Sequence, residues 1–264
     1  MASPSPVHSH PVNLKVLRLS RPHIGEADVA SEDPTPSTLL SLPASFGQVY
    51  VGETFSCILS INNVSETPHD VALDASVQLP SQSHVSLIHA DLPTSNHRVE
   101  ARKHTQQTLS YEAQEPGLHI LTITVSYRRP ADDEGSAGAG GAWTTFRKHY
   151  QFNAAPGLSV KTKMSAYDNT GHTVEAQIEN VSAHTMTLET AEFLPLDGWR
   201  VDQFPRISMQ PLAPRDVHQT AFLAVRESSS LSAAMGKISI SWRRDPVGQK
   251  GWLTTGVLRL PQHL

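Results

Sequence analysis

The sequence predicts an all-β protein made of two tandem immunoglobulin-like β-sandwich domains that hold together without disulfides. Three observations lead to this fold class. Apolar and polar residues alternate along many short segments, which is typical of strands with one buried face. A long stretch of the sequence occurs twice. The 264 residues include one cysteine, Cys57, so no disulfide can form within the chain.

The alternation is clearest in residues 55–61, 71–79 and 123–127. Turn signals such as Glu115-Pro116-Gly117 separate these segments. In the first half we expect strands near residues 39–43, 48–51, 54–62, 70–79, 84–89, 106–112, 118–128 and 143–152. In the second half we expect strands near residues 158–164, 172–180, 185–194, 206–210, 216–225, 236–243 and 252–260. Short strands at this density are typical of an immunoglobulin-like sandwich.

The internal repeat indicates two copies of one unit. Residues 59–65 read LSINNVS, and residues 176–182 read AQIENVS. Residues 123–129 read ITVSYRR, and residues 238–244 read ISISWRR. An offset of about 115 residues is too long for a solenoid repeat and fits two sandwich domains.

We therefore expect three regions in the chain. They are an N-terminal segment at residues 1–38, a first sandwich at residues 39–155 and a second sandwich at residues 156–264. The N-terminal segment carries one strand at residues 12–19 and a flexible, polar linker at residues 25–38. Residues 131–142 are a Gly- and Ala-rich insertion that we expect to form a disordered hairpin tip.

Composition narrows the class of function. The chain has 21 Lys and Arg against 25 Asp and Glu, a net charge of −4, which disfavours a nucleic-acid-binding role. No segment offers the ~20 apolar residues that a membrane-spanning helix needs. The N-terminus lacks the basic start and apolar stretch of a secretory signal. We therefore expect a cytoplasmic protein in a reducing compartment.

The sequence contains none of the common catalytic, phosphate-binding or metal-binding motifs. Its 14 histidines are scattered rather than clustered, which favours surface histidines over a metal site. Cys57 alternates with Phe55 and Leu59 on a buried face, so we interpret it as a core residue and not as a nucleophile. We expect no enzyme activity, no catalytic residue, no cofactor, no metal and no small-molecule substrate.

Two local patterns each have a structural and a functional interpretation. The repeated pairs Arg128-Arg129 and Arg243-Arg244 suit either solvated strands with protected edges, which we favour, or contact with an acidic partner or anionic lipid headgroups. For Arg147 and Lys148 both interpretations stay open. The sequons that begin at Asn63 and Asn180 lie at equivalent strand ends, where Asn and Ser side chains bond to local backbone in turns. We interpret them as turns and not as glycan acceptors.

One block, residues 40–56, reads LSLPASFGQVYVGETFS. Shorter blocks follow the same family order at residues 14–22, 117–121, 125–127, 146–148, 160–163, 175–180 and 236–242. Together these blocks resemble subunit 13 of the trafficking protein particle (TRAPP) complex. Typical members continue into a further β-rich region, so the resemblance implies a fragment or a short form whose Gly- and Ala-rich insertion is its own.

The resemblance implies a non-catalytic accessory subunit of a TRAPPIII-type tethering complex, which acts as a nucleotide-exchange factor for a Rab GTPase in ER-to-Golgi traffic and autophagy. It implies large accessory TRAPP subunits as direct partners. Association with the Rab GTPase and with Golgi or autophagic membranes is then indirect. The implied location is cytoplasmic and peripheral to ER–Golgi membranes.

The candidate protein-interaction residues are Phe46, Gly47, Gly52, Glu53, Arg147 and Lys148. Glycines beside residues 48–51 permit a bend between two short strands, and Glu53 suits either a turn cap or a partner contact. The alternative function is an extracellular tandem immunoglobulin-like binder, which would carry a signal segment and occupied sequons.

Overall fold

The computed structural model describes residues 10–19, 48–88, 97–129, 141–204, 209–227, 232–244 and 249–260. Within these ranges the protein is all-β, with strands in four sheets and no helix. This confirms the predicted all-β class, and the tandem immunoglobulin-like arrangement is compatible with it. The expected strand at residues 39–43, the linker at residues 25–38, and residues 131–140 of the insertion lie outside the described residues.

The first half consists of two sheets. One has the order β1-β3-β7, and the other has the order β2-β9-β8-β4-β5, with β6 also paired to β4. The strands are β1 (Val12–Leu19), β2 (Gln48–Tyr50), β3 (Thr54–Asn63), β4 (His69–Gln78), β5 (His84–Ile88), β6 (His97–Val99), β7 (His104–Glu112), β8 (Gly117–Arg128) and β9 (Thr144–Ala155). All pairings are antiparallel except that of β2 with β9, which is parallel.

The second half also consists of two sheets. One has the order β10-β11-β15-β13, and the other has the order β14-β12-β16-β17, with β18 also paired to β16. The strands are β10 (Leu158–Ala166), β11 (Gly171–Asn180), β12 (Met186–Pro195), β13 (Trp199–Phe204), β14 (Gln210–Leu212), β15 (Val217–Arg226), β16 (Ala234–Arg244), β17 (Lys250–Thr254) and β18 (Leu258–Arg259).

Each pair of sheets encloses one apolar core. In the first half, Phe55 and Cys57 of β3 face Leu121 and Ile123 of β8, and all four are buried. The second core contains Ile178, Phe222 and Trp242 among others, and it also takes in Tyr50 from the first half. Full burial of one such side chain contributes roughly 1.5–3 kcal/mol. The two halves are thus β-sandwiches whose cores meet at Tyr50.

The strand order is compatible with an immunoglobulin-like fold. If β10, β11, β12, β13, β15, β16 and β17 are labelled A to G, the second half has A-B-E-D in one sheet and C-F-G in the other, as in the constant-type domain. The first half follows the same scheme, with β1-β3-β7 as A-B-E and β4-β8-β9 as C-F-G.

Strand β1 occupies the same place in the first sandwich as β10 does in the second. Val12 pairs with Asn63 where Leu158 pairs with Asn180. Strand β1 was predicted at residues 12–19 as part of a separate N-terminal segment, and the structure confirms the strand and pairs it with β3. The two copies differ in the connection after this strand: β10 leads into β11 through residues 167–170, whereas residues 20–53 separate β1 from β3.

Other strand predictions fared unevenly. The short strand β6 was not predicted, because three residues are too few to show an alternating pattern. Of the strand expected at residues 206–210, residues 206–208 lie outside the described residues, and β14 begins at residue 210. Strand β13 was not predicted. The domain boundary expected at residues 155/156 falls between β9 and β10, and it stays a prediction.

Candidate functional site

The strongest cluster of unusual features is the junction between the two sandwiches, where residues 49–54 meet residues 242–244 and 249–252. Gly52 lies between β2 and β3 with a φ of +92°, a conformation that side chains other than glycine rarely adopt. Its N–H donates to the carbonyl of Ala113 over 2.7 Å. Glycine was expected to permit a bend here, and at Gly52 this is confirmed.

The bend at Gly52 also forms the contact with the second sandwich. The N–H of Trp252 donates to the carbonyl of Gly52 over 3.0 Å, and Glu53 forms an antiparallel bridge with Gly251. The Nε2 of Gln249 donates to the carbonyl of Thr54 over 3.0 Å. Strand β17 lies at the edge of its sheet, so these backbone contacts cover an edge that would otherwise be free to pair.

Glu53 is fully buried in this junction. Its Oε2 accepts a hydrogen bond from the N–H of Tyr50 over 2.8 Å, which closes the turn. Its Oε1 lies 3.5 Å from an Nη2 atom of Arg244. Burial raises the pKa of Glu53, and the positive charges of Arg244 and Arg18 oppose this rise. Burial and the charge of Arg244 lower the pKa of Arg18.

Tyr50 anchors the junction in the second sandwich. Its ring meets the Trp242 ring edge-on at a centroid distance of 6.1 Å, and the Arg244 guanidinium lies 5.5 Å from the ring centroid. Such a cation–π contact contributes about 0.5–2 kcal/mol. A Cβ placed on Gly251 would overlap the ring of Trp242, so glycine is required for the close packing of β17. The junction therefore combines apolar, ionic and backbone contacts.

The other predicted pair, Arg147 and Lys148, lies on β9 away from the junction. The Nζ of Lys148 donates to the carbonyl of Leu14 over 2.7 Å and so ties β9 to β1. Arg147 is exposed on the outer face of the sheet, opposite Thr124 of β8. No hydrogen bond or ion pair joins Arg147 to another described residue.

The repeated arginines form ion pairs within the chain. Arg128 pairs with Asp70 at 3.2 Å, and the equivalent Arg243 pairs with Glu189 at 2.9 Å. Lys250 also contacts Glu189 at 2.9 Å, and this hydrogen bond, followed by that from Arg243, holds the pKa of Glu189 below its usual range. Solvated strands were the favoured interpretation. Ion pairs between neighbouring strands of one sheet are compatible with that interpretation, which stays a prediction.

The two sequons form the same buried turn. The Nδ2 of Asn63 donates to the carbonyls of Thr67 and Val99, and its Oδ1 accepts from both the N–H and the hydroxyl of Ser65. Asn180 repeats this pattern with Ser182 as its hydroxyl donor, and it also donates to the carbonyls of His184 and Leu212. The interpretation as turns is confirmed, since both asparagine side chains are buried.

Cys57 is fully buried, and burial raises the pKa of its thiol to about 11. Its interpretation as a core residue is confirmed, because the side chain lies fully buried in the first apolar core. No group of three or more His, Cys, Asp or Glu side chains among the described residues is arranged to hold a metal ion. Nor does any helix in the described ranges have the length and apolarity needed to cross a membrane.

Of the predicted site residues, the structure brings Gly52 and Glu53 together in the junction and places Arg147 and Lys148 on a separate strand. Phe46 and Gly47 lie outside the described residues. Sequence reasoning missed Tyr50 and Arg244 as junction residues. The repeat held one signal, since the Arg pair recurs in both copies whereas the block around Glu53 occurs once.

The fold and the junction define a class of protein: an all-β chain of two repeated sandwiches joined by a buried polar and aromatic contact. Two family models cover nearly all of it. The model for the N-terminal domain of trafficking protein particle complex subunit 13 matches residues 25–154, and the model for its middle domain matches residues 158–261. The chain belongs to the trafficking protein particle complex subunit 13 family, as the resemblance indicated.

Curated relatives agree with this assignment. A probable subunit 13 homolog of Caenorhabditis briggsae is 31% identical over 289 residues, which cover 93% of this chain and 68% of the relative. Subunit 13 of Danio rerio is 26% identical over 299 residues, covering 95% of this chain and 69% of the relative. Among solved structures, a mutant of Salmonella alpha-2-macroglobulin matches 80% of this chain and 16% of its own, with 8% identity and a TM-score of 0.43. That similarity supports no functional inference.

Proposed function

We propose that this chain is a non-catalytic accessory subunit of a TRAPPIII-type complex and acts as a protein-interaction module. In this role it binds large accessory TRAPP subunits at the cytoplasmic side of ER–Golgi and autophagic membranes. Its association with the Rab GTPase is indirect, because nucleotide exchange belongs to other subunits. The observation that carries the proposal is the match of both sandwiches to the subunit 13 family models.

The buried junction supports a role that depends on the relative orientation of the two sandwiches. Surfaces on the two sandwiches can bind one large partner only if their relative orientation is maintained. In this proposal Gly52 and Glu53 act indirectly, since Glu53 is buried and bonded to its own chain. Arg147 and Lys148 are both exposed, and of the two Arg147 has no hydrogen bond or ion pair to another described residue, so it is available to an acidic partner. Phe46 and Gly47 stay candidate interaction residues.

Affinity purification of the tagged full chain, followed by mass spectrometry, tests this function. Recovery of other TRAPP subunits under gentle conditions is the expected result. Recovery of none would contradict the proposal. Loss of partners from Arg147→Glu, with retention by Gln151→Glu on the same outward face of β9, would assign a direct contact to Arg147.

The alternative of an extracellular binder is disfavoured by the two buried asparagines. A glycan on Asn63 or Asn180 would remove hydrogen bonds that close the turns in both sandwiches. The expected result is that glycosidase treatment of the expressed chain leaves its mobility in a gel unchanged.

A further inference from the structure

The two sandwiches differ at the end where β3 begins in the first sandwich and where the equivalent β11 begins in the second. In the first sandwich this end is covered. Gly52 and Glu53 bond to the backbone of Ala113 there and contact the second sandwich. The corresponding end of the second sandwich is the end that lies away from the junction. There the end of β10, the start of β13 and the end of β15 lie beside the start of β11. We call it the distal end.

The registers identify the residue that replaces Ala113 at the distal end. Cys57 pairs with Leu109 in the first sandwich, and the equivalent Val174 pairs with Phe222 in the second. Four residues further along each strand lie Ala113 and Arg226. A small, covered residue of the first sandwich is therefore replaced by a cationic residue in the second.

Arg226 is held in place but is not neutralised. Its guanidinium lies 5.3 Å from the centroid of the buried Trp199 ring. Its Nε is shielded from solvent and has no hydrogen-bond partner, and the Nδ1 of the adjacent His172 is in the same state. No carboxylate among the described residues forms an ion pair with Arg226. A shielded donor without a hydrogen-bond partner destabilises the fold, and more so when it is charged, so its presence calls for an explanation.

The carboxylate of Asp168, whose charge acts on His172, is bonded within its own turn. Asp168 accepts hydrogen bonds from Thr170 and from the N–H of Gly171, and these bonds hold the pKa of Asp168 below its usual range. Burial and the charge of Arg226 lower the pKa of His172, so this ring is neutral at pH 7. Arg226 thus lies at the distal end as a cation without an ion-pair partner among the described residues.

Exposed apolar side chains lie in the turns and strand ends at this end of the second sandwich. Tyr167 is 68% exposed in the β10–β11 turn, and Leu194 and Leu196 are 47% and 40% exposed at the end of β12. The turn between β12 and β13 is connected to Trp199, on which Arg226 lies, because the N–H of Trp199 donates to the carbonyl of Leu196. Tyr, Trp and Arg are the residues most enriched at the energetic centres of protein interfaces.

We propose that the distal end of the second sandwich is a protein-docking surface, on which a partner places a carboxylate beside Arg226 and packs apolar side chains against Tyr167 and Leu196. The favoured occupant is a different protein with an acidic residue flanked by apolar ones. This surface rests on the proposed function, which makes a TRAPP subunit the source of that acidic segment. It is independent of Arg147, which lies on the first sandwich.

The test uses the tagged full chain expressed in cells, with TRAPP subunits quantified by mass spectrometry. Arg226→Glu is expected to lower the recovery of at least one subunit tenfold or more, because it sets two negative charges against each other. Leu196→Ala and Tyr167→Ala are expected to lower it at least threefold, and since both residues are exposed, neither change should alter the melting curve. Lys161→Glu and Met209→Ala, both at exposed positions away from the distal end, are the matched controls.

The outcomes separate the two proposals. If the wild type recovers TRAPP subunits and the three distal-end variants recover them equally well, the docking surface is wrong and the proposed function stands. If the wild type recovers no TRAPP subunit, both proposals fail. A photo-crosslinking residue at position 167 should form a link to an acidic segment of the TRAPP subunit whose recovery the distal-end variants lower. A link to a second copy of this chain would instead overturn the choice of partner.

Discussion

At the scale of single residues, Asn63 and Asn180 show how one amino acid specifies the same turn twice. Each amide group donates to and accepts from the backbone after a central strand, and each is buried. Asparagine is suited to this place because its side chain offers both a donor group and an acceptor. Sequence alone identified the turn, because Asn and Ser recur together at equivalent strand ends.

Asn180→Ala is expected to destabilise the second sandwich by about 3 kcal/mol, since the carbonyls of His184 and Leu212 and the hydroxyl of Ser182 lose their shared partner. Urea denaturation followed by tryptophan fluorescence measures the change. Gln177→Ala, at an exposed position of the same strand, is the control and should stay within about 0.5 kcal/mol of the wild type. Equal stability of the two variants would show that the turn does not depend on this amide.

At the scale of elements, the period-two pattern identified most strands and their buried faces. Strand β3 illustrates this success: Phe55, Cys57 and Leu59 were assigned to the core face, and all three are buried. Strand β1 illustrates the limit. Its position was predicted, but its pairing with β3 was not, because the pattern within a strand does not contain the identity of its neighbour. Short strands such as β6 carry too few residues to be recognised.

Phe55→Asp tests the assignment of faces on β3. The ring stacks on Phe152 at a centroid distance of 4.4 Å, so an aspartate there would lose this packing and bury a charge. We expect a loss of at least about 4 kcal/mol, enough to unfold the first sandwich. Ser56→Asp, on the outward face beside Ser110, is the control and should leave the melting curve nearly unchanged. A native melting curve for Phe55→Asp would show that the face assignment is mistaken.

At the scale of the whole molecule, the two sandwiches are joined by the part of the sequence that the second copy lacks. The segment that contains Tyr50, Gly52 and Glu53 follows β1, whereas β10 passes almost directly into β11. Sequence analysis identified this block as distinctive but did not predict that it contacts the second sandwich. Contact between residues about 200 positions apart, such as Gly52 and Trp252, leaves no periodic signal in either segment.

Gly52→Ala is expected to loosen the junction without unfolding either core. The new methyl group would overlap the carbonyl oxygen of Trp252 in a backbone conformation that alanine disfavours, at a cost of at least about 2 kcal/mol. Hydrogen exchange should therefore accelerate at Trp252, whose N–H bonds to Gly52, while β11 stays protected. Gly256→Ala is the control, because a methyl group there meets no neighbouring atom. Unchanged exchange at Trp252 would mean that the junction adapts to the methyl group.

The ionic part of the junction makes the stability of the molecule depend on the charge of Glu53. Burial raises the pKa of Glu53 above its ordinary value of 4.5, although Arg244 and Arg18 oppose that rise. The folded chain therefore takes up a proton at a higher pH than the unfolded chain does. The contribution of Glu53 to the free energy of unfolding is therefore fully present below about pH 4.5, and it is lost as the pH rises through the raised pKa of the folded chain.

Glu53→Gln removes this titration and keeps an oxygen that can accept the N–H of Tyr50. The free energy of unfolding of the wild type, minus that of Glu53→Gln, is expected to increase as the pH falls from 7 towards 4.5. Carboxylates whose pKa is lowered, such as Glu189, weaken both proteins equally in acid and cancel in the difference. Urea denaturation at a series of pH values measures it, with Glu175→Gln on an exposed position of β11 as the control. A difference that stays constant or decreases towards pH 4.5 would mean that the attraction of Arg244 and Arg18 outweighs the burial of the carboxylate.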